Sequence, residues 1–262
     1  MSIKDLTYLL PKKHLLKVAD AKPELVDWGR LCSRFKLPES FIERHKYDVD
    51  WEYISEHQEL SEEFIDKYKN RVNWELICQY QKLSESFIEK HKNKVDWLRV
   101  SMFQDLSEQF IEKHKNLVNW TAISKYQKLS EEFIERHKDK VDWENISKYQ
   151  NLSEEFIERH KDKVDWDYIS LYKNLPEQYI EKYKDYVNWR YISAWQKLSE
   201  PFIEKYADKI DWCVVSKSQK LSEPFIEKHA DKVDWPSIFK YQKLSPEFKE
   251  KYREKVYKKV YK

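Results

Sequence analysis

The stretch Trp143 to Asp165, WENISKYQNLSEEFIERHKDKVD, recurs along the chain and decides its fold. Trp28, Trp51, Trp74, Trp97, Trp120, Trp143, Trp166, Trp189, Trp212 and Trp235 follow one another at intervals of 23 residues without an insertion, and only Trp195 lies outside the series. Counting each repeat from its Trp, a Leu holds the tenth position throughout, from Leu37 to Leu244. A fixed period of this length is the mark of a repeat architecture and is read before any motif.

Within the quoted stretch, Leu152, Phe156, Ile157, His160 and Val164 make one apolar stripe at helical spacing. Ser153 is the expected N-cap of this helix. Glu154, Glu155 and Glu158 come early and Arg159, Lys161 and Lys163 late, the order that the helix dipole favours. The spacing predicts that this second helix is the longer of two, running on towards Val164. A shorter helix begins after Asp or Asn in every repeat (Asp27, Asp50, Asn73, Asp96, Asn119, Asp142, Asp165, Asn188, Asp211, Asp234), the best N-cap types. Its expected buried side is the Trp, an Ile, Val or Leu three residues on, and then usually an aromatic. Pro201, Pro224, Pro236 and Pro246 fall in first turns, where no intrahelical N–H is lost. No segment sustains the period-two alternation of a strand.

One such hairpin cannot bury its apolar side alone, so neighbours must cover it. The expected fold is all-α, an α-solenoid of stacked two-helix repeats, ten of them over residues 28–257. Residues 1–27 read as a degenerate capping repeat, with Val18 and Val26 at the Phe and Val positions and His14 at the Leu position, and residues 258–262 as a basic C-terminal tail.

Composition narrows the function. A single Gly excludes glycine-rich phosphate loops, which need several positions of unusual backbone freedom. The chain is 37% charged, yet its 16% aromatic content gives it a core to bury. Lys and Arg number 49 against 47 Asp and Glu, a net charge of +2, whereas nucleic-acid-binding domains usually carry a strong basic excess. Cys32, Cys78 and Cys213 have no paired spacing and read as reduced thiols of an intracellular protein. No run approaches the roughly 18 apolar residues that span a bilayer, and the N-terminus holds no convincing secretory signal.

The pattern W-x-x-I-S-x-x-Q-x-L-S-E-x-F-I-E-K-H-K-x-x-V-D resembles the tandem repeats of proteins encoded by large DNA viruses of amoebae, of the marseillevirus and Noumeavirus type, and the resemblance extends over all ten repeats. It implies a viral protein of an infected host cell, in the cytoplasm or the virion factory, that acts by interaction. It supplies no catalytic or ligand residues. Pro38 and Pro176 depart from the pattern at the capping Ser, and Arg34, His57 and Ser218 at the short-helix aromatic.

Four recurring positions invite a chemical reading. His45, His91, His114, His137, His160 and His229 share the eighteenth, but Tyr68, Tyr183, Tyr206 and Tyr252 replace them, and Tyr is a poor substitute for an imidazole ligand; packing is the expected role and no metal site is expected. Ser at the fifth position keeps no His and acid in step, and Cys32, Cys78 and Phe239 replace it, so a helix contact is expected in place of a nucleophile. Gln58, Gln81, Gln104, Gln127, Gln150, Gln196, Gln219 and Gln242 hold the eighth position and are expected to bond the turn backbone or the adjacent repeat. Arg44, Lys67, Lys90, Lys113, Arg136, Arg159, Lys182, Lys205, Lys228 and Lys251 form a basic row at the seventeenth, with an acid immediately before each.

The second, third and sixth positions vary. They hold Tyr53, Leu76, Leu98, Arg99, Met102, Tyr168, Leu171, Arg190, Tyr191 and Val214, several of them large and apolar where other repeats carry Glu, Asn or Lys. In a solenoid the variable face sets recognition, so these residues are the expected protein-binding surface of a non-enzymatic scaffold without cofactor, joining other proteins or copies of itself. The alternative is a nucleic-acid-binding scaffold that uses the basic row with Arg253, Lys255, Lys258, Lys259 and Lys262 of the tail.

Overall fold

The computed structural model describes residues 11–172 and 174–257. The described residues are helical throughout and contain no strand. The protein is an all-α solenoid in which each repeat contributes a seven-residue helix that begins at the Trp, such as Trp51–His57, and a six-residue helix that carries the Phe, such as Glu62–Lys67. They are called the Trp helix and the Phe helix below. Ahead of repeat 1 lie a helix at Lys12–Ala21 and a 3-10 turn at Pro23–Leu25.

The caps follow the sequence. Asp50 accepts from the Glu52 N–H at the start of one Trp helix, and Asn73 from those of Glu75 and Leu76 at the next. Ser61 accepts from the Phe64 N–H at the start of a Phe helix. Pro38 and Pro176 occupy that place without a side-chain bond.

The Phe helix is shorter than its apolar stripe predicts. In repeat 6 it spans Glu154–Arg159 and stops at His160, whose φ of −116° and ψ of 24° leave the helix. A turn follows, with the Lys163 and Val164 N–H groups donating to the His160 carbonyl at 2.8 and 3.0 Å. Val164 therefore reaches the core by way of a turn. The carbonyl released beyond the helix has a partner one residue farther along: the Trp166 indole N–H donates to Lys161 O at 2.8 Å. The same bond joins Trp51 to Lys46, Trp97 to Lys92 and Trp212 to Ala207. Each indole thus fixes the loop that leads into its own helix.

The chain forms two compact halves that divide after Asp142, between repeats 5 and 6. In each half, successive Trp helices pack on one another. The first core includes Leu15, Ala19 and Val26 of the capping segment, then Leu31, Ile42, Ile54, Ile65 and their equivalents. The second includes Ile169, Ile180, Ile192, Ile203, Val215 and Ile226. Inside each repeat except the seventh, where Tyr179 replaces the Phe, the Trp ring lies against the Phe ring and the ring at the eighteenth position. Trp74 is 6.2 Å from Phe87 and 4.9 Å from His91, and Trp51 is likewise 4.9 Å from Tyr68.

In the segment ahead of repeat 1, His14 is exposed and Val18 half-buried, with Leu15 buried beside them. Ala19 is fully buried where other repeats have Ile, and Asp20, at the acid position, reaches Arg44 and His45 at 3.3 and 3.0 Å. At the other end Arg253–Tyr257 forms a short helix where the other repeats make a turn. Lys258, Lys259 and Lys262 lie outside the described residues.

Candidate interaction surface

The recurring Gln faces the neighbouring repeat and the recurring Ser closes its own. Gln104 Nε2 donates to the carbonyls of Cys78 and Gln81 at 2.7 and 2.8 Å, and its Oε1 accepts from the Leu83 N–H at 2.9 Å. Gln81, Gln127, Gln219 and Gln242 repeat the arrangement. Ser101 is fully buried; its hydroxyl donates to Trp97 O at 2.6 Å and accepts from the Asn119 N–H at 3.0 Å. Cys32 and Cys78 take the place of this serine, and burial pushes their thiols up to about 12 and about 11. Such thiols are poor nucleophiles. Cys213 is exposed and lies on a different side of its helix.

The histidines pack against the Trp and Phe rings, and His45, His91, His114 and His137 touch an acid of the preceding repeat, as His114 Nε2 touches Glu89 at 2.6 Å. The buried Nε2 of His229, by contrast, has no hydrogen-bond partner among the described residues. Burial lowers the pKa of His91 and His229 against the opposing pull of Asp66 and Glu204. Among the described residues no group of His, Cys, Asp and Glu is arranged to hold a metal ion, and no helix is long and apolar enough to cross a membrane.

The basic row has an internal counter-row. The acid at the sixteenth position of one repeat meets the cation at the seventeenth of the next: Glu43 with Lys67, Asp66 with Lys90, Glu89 with Lys113, Glu158 with Lys182, Glu181 with Lys205, Glu204 with Lys228 and Glu227 with Lys251. Hydrogen bonds from Lys113 first, then Lys92 and His114, hold Glu89 down at about 2. Lys67, Lys182, Lys205 and Lys251 are raised by the carboxylates they meet. Arg44 meets Asp20, Arg136 lies 5.5 Å from the Phe133 ring and Arg159 5.4 Å from the Phe156 ring. A phosphate on this row has to displace carboxylates already in place.

The residues of the variable face divide into two groups. Tyr53, Leu98 and Arg190 are exposed. Leu76, Arg99, Met102, Tyr168, Leu171, Tyr191 and Val214 are half-buried. Where the contacts are seen, they run to the adjacent Trp helix: Arg99 binds Glu75 and Gln79 of the preceding repeat, and the Tyr168 hydroxyl donates to Glu144 at 3.3 Å. Gly29, the chain's one glycine, lies under the Tyr53 ring, where an added Cβ meets Cε2 at 3.1 Å.

The seventh position, expected on the buried side, turns outward. Tyr80, Phe103, Tyr126, Tyr149, Trp195 and Tyr241 are 44–67% exposed, Trp195 the most. The contacts of the last turn explain why: the buried places are filled by Ile, Ser and Gln at the fourth, fifth and eighth positions, so the seventh points away. Lysines line these rings. Lys125 Nζ lies 4.9 Å from the Tyr126 ring centroid, Lys148 5.2 Å from Tyr149 and Lys240 5.1 Å from Tyr241. This aromatic row is the surface that pattern reading missed. The signal available to it was the neighbouring Gln, whose fixed identity marks the eighth position as the inward one.

No protein-family model, curated protein or solved structure matches the chain.

Proposed function

We propose that the protein is a non-enzymatic repeat scaffold that joins other proteins, or copies of itself, through the exposed edge of its Trp helices. The observation that carries this reading is the row of outward aromatic rings at the seventh position, on helices that also expose Tyr53 and Leu98. Large apolar side chains gathered on a surface mark protein contacts, and Tyr and Trp are the types most often found at their energetic centres. The resemblance of the repeats to those of large DNA viruses of amoebae supports an infected-cell setting, in host cytoplasm or virion factory.

The test uses Tyr80, Phe103 and Tyr126, all in the first half. The triple variant Tyr80→Ser, Phe103→Ser, Tyr126→Ser is expected to keep its helical circular dichroism and melting temperature. It should lose partners captured from infected cells, or lose self-association in sedimentation. A variant with unchanged stability that retains every partner and its oligomeric state overturns the proposal.

A further inference from the structure

The ninth position of the repeat changes character along the chain. In repeats 1 and 2 it holds Lys36 and Glu59, which bridge at 3.1 Å, so ninth-position side chains of adjacent repeats are within reach of each other. In repeats 8, 9 and 10 it holds Lys197, Lys220 and Lys243. All three are exposed, and among the described residues none is in an ion pair. The edge beside them is Ala194-Trp-Gln-Lys197, Lys217-Ser-Gln-Lys220 and Lys240-Tyr-Gln-Lys243, with five lysines and no acid. Lys217 lies 5.7 Å from the Tyr241 ring centroid, so the edges of repeats 9 and 10 adjoin. Trp195 and Tyr241 stand outward among these charges, Trp195 with two thirds of its surface free.

This arrangement is the reverse of the seventeenth-position row, where the preceding repeat supplies a carboxylate for each lysine it meets. Here like charges sit in register and await a counter-ion from outside the chain. Unpaired cations beside exposed rings suit a flexible polyanion with planar faces, which is the chemistry of a single nucleic-acid strand. A duplex encloses its base faces, and an acidic polypeptide supplies charge with few rings. We infer that the edge of repeats 8 to 10 binds single-stranded nucleic acid, with phosphates on Lys197, Lys220 and Lys243 and bases against Trp195 and Tyr241. Trp195 and Tyr241 belong to the same aromatic row as the protein contacts proposed above, which are tested at Tyr80, Phe103 and Tyr126 in the other half, so the two readings fail separately.

The experiment is fluorescence anisotropy on the full chain with labelled oligo(dT) and oligo(dA) of about 20 nucleotides, a length that spans several binding positions. Three phosphate contacts predict affinity about 20-fold weaker at about 200 mM than at about 50 mM salt. Lys197→Glu, Lys220→Glu, Lys243→Glu together are expected to weaken binding at least about tenfold, the loss of those contacts at low salt. Trp195→Ala should weaken it several-fold without changing the salt slope. Lys182→Gln, Lys205→Gln, Lys228→Gln should leave it within about threefold, since those lysines are already paired. Should the Glu variant fail to fold, the same lysines changed to Gln give the same reading. No binding at the lower salt overturns the inference, as does indifference to the ninth-position variant. So does poly-glutamate that displaces the strand as well as unlabelled oligonucleotide, which makes the ligand an acidic polypeptide, or a duplex that binds equally well.

Discussion

Gln104 Nε2 donates to the carbonyl of Gln81, 2.8 Å away and one whole repeat earlier in the chain. The amide of Gln104 is thus bonded to the backbone of the previous glutamine, as are those of Gln81, Gln127, Gln219 and Gln242, and the other bonds of Gln104 go to the Leu N–H and the fifth-position carbonyl of that same repeat. The row is a chain of side-chain clamps on buried backbone groups. The clamp needs an amide wherever it forms, because no other side chain of that length both donates and accepts; Phe35 and Lys173 hold the position in repeats 1 and 7.

Gln104→Met keeps the volume and removes all three bonds. It leaves the Leu83 N–H and two carbonyls buried without partners, which predicts a loss of roughly 2–4 kcal/mol. Chemical denaturation followed by far-ultraviolet circular dichroism measures it. A loss below about 1 kcal/mol shows that water enters and replaces the clamp.

Ser101→Ala removes a hydroxyl that joins the Trp97 carbonyl to the Asn119 N–H. The predicted loss is roughly 1–2 kcal/mol. Ser101→Cys should lose less, since Cys32 and Cys78 hold the same place, fully buried, in other repeats. Equal losses for the two variants contradict the interpretation.

Stability should fall with acid in two steps. Burial lowers His91 and His229 below the ordinary 6.5, so the unfolded chain takes up protons first as pH drops through that value, and folding loses stability there. The second step belongs to the carboxylates. Glu89 lies near 2 in place of 4.5, and Glu43, Asp66 and Glu181 are also lowered, each first by a lysine of the next repeat, so their contribution is present above 4.5 and drains away below it. His91→Tyr with His229→Tyr should abolish the first step alone, because Tyr68 already packs on Trp51 as His91 packs on Trp74. Melting temperatures from pH 8 to pH 3 (about the range over which these groups titrate) check the shape.

Gly29→Ala sets two effects against each other. Alanine favours the helix by about 1 kcal/mol, while its Cβ crowds the Tyr53 ring, which is exposed and able to tilt away. Net stabilisation of a few tenths to about 1 kcal/mol is expected, with the full value in a Tyr53→Ala background. Thermal melts of the two variants and their combination measure the coupling.

Much of this architecture was open to reading from the residues. Asp50, Asn73 and Ser61 cap where their types say they should, and the prolines fall in first turns. Three features were not legible, the first two for one reason. Period and amphipathicity place residues on a helix face, but in a stack each helix meets its partner within the repeat and also the repeats on either side. Which of several apolar positions turns outward depends on the rotation between repeats. Tyr80 and Tyr126 accordingly looked like core and are surface, whereas Leu76 and Val214 looked like surface and are half-covered. The end of the Phe helix at Arg159 was hidden in the same way, because Val164 continues the apolar stripe while the Trp166 indole bonds a carbonyl beyond the helix. The inter-repeat bond from the Ser84 N–H to Glu62 was masked by that acid's ordinary place in a first turn.

The bonds that cross between repeats always span nearly one period: Lys90 to Asp66, Ser84 to Glu62, Gln104 to Gln81. A segment gained or lost by unequal exchange between two copies of the repeat restores every one of these partnerships when it measures a whole period, and scrambles them at the junction when it does not. The chain is therefore free to lengthen or shorten only in steps of 23 residues. The uninterrupted spacing of ten tryptophans is the residue of that arithmetic.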